Sequence, residues 1–199
     1  MIDFASTVQL ENDRLLLRPW TSDDADELVS IATAPSIWRF TTGKIESVAD
    51  VEQYIAQALA DRERKVRYSF VLQDKVSNKL VGSSSLGNIS IKDRRVEIGW
   101  TWIVPARQGT GVNTHTKFLM LEYCFERMNV HRVEFKTDNA NPRSCGALRK
   151  IGARPDGVLR SHTIMHDGRY RDTAYYSILE AEWLQLKAEL KAVIEADMS

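Results

Sequence analysis

The 199-residue chain carries 27 Lys plus Arg against 27 Asp plus Glu, a formal net charge of zero. That length suits one full-sized domain with a core, and the charge balance excludes a global attraction to nucleic acid or to anionic lipid. No apolar run approaches the ~20 residues that span a bilayer, and Met1-Ile2-Asp3-Phe4 lacks the basic-then-apolar layout of a secretory leader, so a cytoplasmic protein is expected.

Leu15 to Arg18 is a short apolar strand stopped by Pro19. Thr21 and Asp24, three apart, form a capping box that opens a helix to about Ala32. A second box, Ser47 with Asp50, opens another helix whose apolar face is Val48, Val51, Ile55 and Leu59. Arg62-Glu63-Arg64-Lys65 reads as its solvated end.

The period then changes to two. Tyr68, Phe70 and Leu72 alternate with smaller or polar residues, and Asn78-Lys79 is a turn before Leu80-Val81-Gly82. Val96 to Trp102 is a long central strand. Val96, Ile98, Trp100 and Trp102 are expected on one face, and Glu97, Gly99 and Thr101 on the other.

From about Gly111 the helical period returns, with Phe118, Leu121, Phe125 and Met128 three or four apart. Val133 and Phe135 mark another strand. Asn141 as N-cap, Pro142 at the first helical position and Gly152 past Ile151 bound a short helix. Strands over 158–165 and 173–179 join around Asp167-Gly168, and Trp183, Leu186, Leu190 and Val193 line a C-terminal helix over about 181–195. Hairpins beside crossovers predict a mixed α/β fold of the α+β type, a mixed sheet covered by helices.

Cys124 and Cys145 form no metal pattern and are expected to be reduced thiols. The four histidines lack ligand spacing, so no metal site is expected, and His162 and His166 read as surface residues.

The stretch from Trp102 to Thr114 carries the most chemistry. A strand ends at Pro105, a glycine turn follows, and a long amphipathic helix starts at once. Glycines let a ligand approach main-chain N–H groups, and a helix start offers free N–H groups with partial positive charge. Together they suit phosphate oxygens. Two glycines that merely join a strand to a helix are the plainer alternative. Val112 after Gly111 rules out a P-loop, and Thr114 stands where a dinucleotide fingerprint needs its third glycine.

Gln108, Gly111 and Asn113 occupy the places of the Gln/Arg-x-x-Gly-x-Gly/Ala motif, and here the chain resembles the GNAT acetyltransferase superfamily. Asn113 departs from the Gly or Ala of that motif, a bulkier side chain that a helix start can point outward. An N-terminal strand and helix, a strand carrying Glu97 before the turn, and Asn141-Pro142-Arg143-Ser144 follow in family order. The resemblance covers about residues 10–182 of one domain spanning 1–199, and is closest to the ribosomal-protein N-terminal acetyltransferase branch. It implies a mostly antiparallel sheet of about seven strands with helices on both faces. It implies acetyl-CoA as donor, with Ile103 and Val104 holding the pantetheine arm through their backbone. Gln108, Gly109, Thr110, Gly111, Val112, Asn113 and Thr114 would cradle the pyrophosphate. The partner would be an amine, either a small molecule or a protein N-terminus, and monomer and homodimer stay open.

Amine acylation needs a proton acceptor, polarisation of the thioester carbonyl and protonation of the leaving thiolate. Glu97 is the candidate base: a carboxylate on a central strand costs free energy unless paired or used. Its structural alternative is an ion pair with Arg94, Arg95 or an Arg of a neighbouring strand. Ser144, in the first turn after Asn141, is the candidate acid and matches the serine that protonates the thiolate in that branch; a local cap is its alternative. Asn141 is either a cap alone or a cap that also contacts pantetheine. Cys145 lacks a His and acid in a nucleophile arrangement. Tyr175 and Tyr176 read as core, and Trp38 with Arg39 either line the acceptor pocket or belong to an aromatic core. The rival readings are a non-catalytic coenzyme A-binding module and an acyltransferase that uses a bulkier donor such as succinyl-CoA.

Overall fold

The computed structural model describes residues 2–197, so the expected 1–199 domain extends beyond the described residues at both ends. The strands are β1 (Leu10–Glu11), β2 (Leu15–Pro19), β3 (Arg67–Asp74), β4 (Lys79–Ser90), β5 (Arg95–Ile103), β6 (Arg132–Asp138), β7 (Arg154–Ile164) and β8 (Tyr170–Leu179). They form one sheet in the order β1-β2-β3-β4-β5-β6-β8-β7, with eight strands where about seven were expected; the two-residue β1 is the addition. Every pairing is antiparallel except β5 with β6.

Helices cover both faces. On one lie α1 (Ala25–Ala32), α2 (Pro35–Trp38) and α3 (Val48–Glu63). Their core joins Leu28, Trp38, Val51 and Ile55 to Val71 and Trp102 of the sheet. On the other lie α4 (Val112–Glu122), α5 (Pro142–Lys150) and α6 (Glu180–Asp197), packed on Leu17, Phe70, Leu86, Val96 and Ile98. Trp183 of α6 stacks on Phe125 with ring centres 5.3 Å apart. The capping box before α3 forms as predicted: Asp50 N–H donates to Ser47 Oγ and Asp50 Oδ2 accepts from Ser47 N–H. The predicted apolar face of α3 is narrower than expected, because Val48 and Leu59 are exposed and the buried positions are Val51, Ile55 and Ala58.

The expected single face for Val96, Ile98, Trp100 and Trp102 does not hold. Ser83 opposes Trp102 and Ser85 opposes Gly99, so Ser84 faces two residues, Trp100 and Thr101. This β-bulge shifts the alternation by one residue. Val96 and Ile98 stay in the α4-side core, while Trp102 enters the α3-side core. Trp100, with φ +51°, projects beside Gly87, and the Arg67 guanidinium lies 5.2 Å from its ring centre.

Pairing between β5 and β6 covers only Arg95–Glu97 against Arg132–Glu134. Both strands continue beyond that point, and the gap between them opens a groove.

Candidate active site

The groove has a volume of about 1310 Å³ and runs from the glycine turn to Trp38 and Arg39. Eight lysines and arginines line it against two carboxylates, Asp50 and Glu97, in a chain of zero net charge. Such concentration of one sign in a cleft draws in anions.

At one end sits the turn. Gly109 and Gly111 have φ of +81° and +84°, the left-handed region that glycine alone enters without steric cost. Gly111 caps α4, so the first N–H groups of that helix face the groove mouth beside Asn113 and Thr114. A Cβ on Gly111 would run into Asp197 and Arg14, whose ion pair backs the turn. Ile103, Gln108, Gly109, Gly111, Asn113 and Thr114 line the groove; Val104, Thr110 and Val112 do not. Val112 is wholly buried, and the Thr110 hydroxyl donates to Arg107 O. Asn113 does not turn away but forms part of the wall. Val104 N–H donates to Val81 O, and Ile103 O accepts from Gln108 Nε2 at 2.7 Å. Successive strand residues aim their peptide groups at opposite edges, so Ile103 is the one facing the open edge.

Where β5 and β6 part lies Glu97, 5% exposed. Its Oε2 accepts from Asn88 Nδ2 at 2.6 Å and pairs with Lys136 Nζ at 2.7 Å. Its Oε1 lies over Gly99, 2.9 Å from where a Cβ would stand. Lys136 comes from β6, so the ion pair bridges the parting strands. Arg94 and Arg95, considered as partners from the sequence, bind elsewhere, to Asn129 and Glu180 and to Asp93 and Glu134. Burial pulls the Lys136 ammonium down, but its hydrogen bond and charge pairing with Glu97 outweigh that and hold it above the ordinary lysine value. Its Nζ also lies 5.2 Å from the ring centre of Tyr175.

Ser144 and Asn141 stand on the opposite wall. Asn141 Oδ1 accepts from Ser144 N–H at 3.0 Å, which makes it the N-cap of α5. Among the described residues no group engages the Ser144 hydroxyl. Cys145, next along, is a buried free thiol that donates to Asp138 O at 3.9 Å, and Cys124 is a second buried free thiol, which burial pushes up. Tyr176 is buried in the core. His162 lines the acceptor end and meets Thr173 Oγ1 at 3.1 Å, and His166 donates to Trp38 O. Trp38 is buried, with its indole N–H on Ala32 O, and Arg39 lies over Phe40; both also line the groove. No cluster of three potential metal ligands exists among the described residues.

Three further groove residues, Asn88, Lys136 and Thr101, and Lys117 buried behind Thr101, escaped the sequence reading. The first three reach the groove through pairings between distant strands. Lys117 alone left a signal, since it lies four residues before Leu121 on the apolar stripe of α4.

Residues 14–154 match the acetyltransferase (GNAT) domain family model. The chain belongs to the GNAT acetyltransferase family. It is 28% identical over 176 residues to the uncharacterized N-acetyltransferase YoaA of Bacillus subtilis (strain 168), covering 86% of this chain and 96% of that one. A GCN5-related N-acetyltransferase from Brucella melitensis superposes with a TM-score of 0.88 at 26% identity, over 96% of this chain and 86% of the other. Mycobacterium smegmatis RimJ, solved in complex with CoA-disulfide, shares the fold with a TM-score of 0.79 at 24% identity, over 95% and 94%. This GNAT protein is therefore an N-acetyltransferase, and no helix among its described residues is long and apolar enough to cross a membrane.

Proposed function

We propose that the protein transfers acetyl from acetyl-CoA directly to a primary amine within the groove, on a single domain. One observation carries this reading. The same groove joins the left-handed glycines at the start of α4 to Glu97, where β5 and β6 part. A long anionic thioester fits that arrangement: diphosphate at the helix N-terminus, pantetheine along the free edge of β5 at Ile103, and acyl end near residue 97.

The acceptor enters from the side of Trp38, Arg39 and His162. Glu97 attracts its ammonium and takes its proton through Oε1, the oxygen not held by Asn88 and Lys136. The free amine adds to the carbonyl carbon, and the sulfur leaves with the C–S electron pair. The Ser144 hydroxyl protonates it and regains a proton from the adduct nitrogen, which sheds its second proton as the amide forms, while Asn141 fixes the first turn of α5 and touches the pantetheine arm.

A free-thiol release assay over a panel of amines, from polyamines to peptides with free N-termini, tests this. Turnover with at least one class supports transfer. Binding of acetyl-CoA with no thiol release from any amine would leave a coenzyme A-binding module instead, and faster release from succinyl-CoA would replace the donor.

A further inference from the structure

Lys117 of α4 is 4% exposed, and no carboxylate pairs with it among the described residues. Its Nζ donates to Thr101 Oγ1 at 2.6 Å and lies 3.4 Å from Ser84 Oγ. The two hydroxyls are 2.8 Å apart. Thr101 is one of the two residues in the β5 bulge, and it lines the groove. A buried ammonium therefore stands behind a hydroxyl on the groove wall, at the level between Ile103 and Glu97. An unpaired buried lysine is costly, so the place of its missing counter-charge matters.

We propose that Lys117 is a positioning residue for acyl transfer: acting through the Thr101 hydroxyl, it stabilises the negative charge that develops on the thioester oxygen. The inference rests on the acetyl-CoA reading above and fills the one chemical need left without a residue there, polarisation of the carbonyl. With Lys117 protonated, Thr101 Oγ accepts from it. Ser84 can donate to the same oxygen, and the Thr101 hydrogen, held only by a long 3.4 Å contact to Gly99 O, can turn from it into the groove. The amine lone pair forms the C–N bond as the carbonyl π pair moves onto oxygen, and the return of that pair expels the sulfur. Lys117 makes and breaks no bond; the amine proton still leaves to Glu97.

Burial is the sole cause that lowers the Lys117 amine, to about 7. The groups facing it, Ser84 from β4 and Thr101 from β5, are neutral, and no charged side chain among the described residues contributes. An anion at the groove side of Thr101 favours the protonated form, so its arrival draws in a proton.

Calorimetry at pH 8 in two buffers of different ionisation enthalpy tests this with acetyl-CoA and carboxymethyl-CoA, whose carboxylate stands where the developing charge would be. The wild type should take up protons on binding carboxymethyl-CoA and none on binding acetyl-CoA. Lys117→Met should abolish the uptake and weaken carboxymethyl-CoA at least about tenfold, leaving acetyl-CoA within about twofold. Lys117→Arg, which keeps the charge, should retain the tight binding without the uptake. Equal behaviour of wild type and Lys117→Met toward both ligands, or equal weakening of both, would overturn the proposal. If the wild type bound neither ligand, the acetyl-CoA reading itself would fall, and this inference with it.

Discussion

Lys136 Nζ and Glu97 Oε2 lie 2.7 Å apart across the point where β5 and β6 cease to pair. The pair holds one carboxylate oxygen and leaves the other over Gly99. In the proposed reaction this acid draws a cationic amine to the apex of the groove. Glu97→Gln keeps the shape and the Asn88 contact but removes the charge and the proton acceptor. Its kcat/KM should fall by about 100-fold or more, with the Kd for acetyl-CoA little changed. Steady-state kinetics with calorimetry would show it; a loss below about tenfold would remove Glu97 from the base role.

Ser144→Ala deletes a hydroxyl that no group among the described residues engages, while the cap on its N–H comes from Asn141 and survives. Stability should therefore change little. Turnover should fall by about tenfold or more, most for acyl donors whose leaving thiolate needs protonation. Donors with more acidic thiols should recover part of the rate in the variant, and an equal loss for all donors would argue for a packing role.

Gly111→Ala should cost more than Gly109→Ala although both positions have positive φ. Each pays about 1–2 kcal/mol for the left-handed backbone. The Gly111 Cβ also meets Asp197 and Arg14, whereas among the described residues beyond its chain neighbours no atom lies within 4 Å of a Cβ at Gly109. Denaturant unfolding should rank the two, and the Gly111 variant should also bind coenzyme A less tightly, because the turn that aims the α4 N–H groups is displaced.

Lys117 sets a pH dependence of stability whose sign follows from its shift. Its folded value, about 7, lies below the ordinary 10.5 of an unfolded lysine. Below pH 7 both states are protonated, and the folded state carries the full cost of a buried charge. Between pH 7 and 10.5 the unfolded chain holds the extra proton, so stability rises with pH. Lys117→Met removes the cost and leaves Ser84 and Thr101 bonded to each other. It should stabilise the protein by up to ~4 kcal/mol near pH 6. That gain should shrink toward pH 10 in urea melts; a pH-independent difference would contradict the burial of a charged form.

Much of the frame is legible from local signals. The Ser47-Asp50 box and the Asn141-Pro142 start of α5 are set by a few adjacent residues, and Gly152 adopts φ +82° after α5 as its position suggests. The glycine turn is legible for the same reason. The bulge at Trp100 is not, since an alternating apolar run reads straight through an inserted residue and no glycine or asparagine marks its positive φ. The partner of Glu97 is hidden too: Lys136 lies on a strand that becomes a neighbour only through the crossover helix α4. Lys117 breaks the apolar stripe of α4, but a sequence alone does not tell a buried cation from one that reaches the surface.

The most direct test of the central claim is a calorimetric titration of the folded protein with acetyl-CoA, repeated on Gly111→Ala. Saturable one-to-one binding, weakened in the variant, is the predicted result. A flat thermogram with folded wild-type protein at saturating acetyl-CoA would contradict the account.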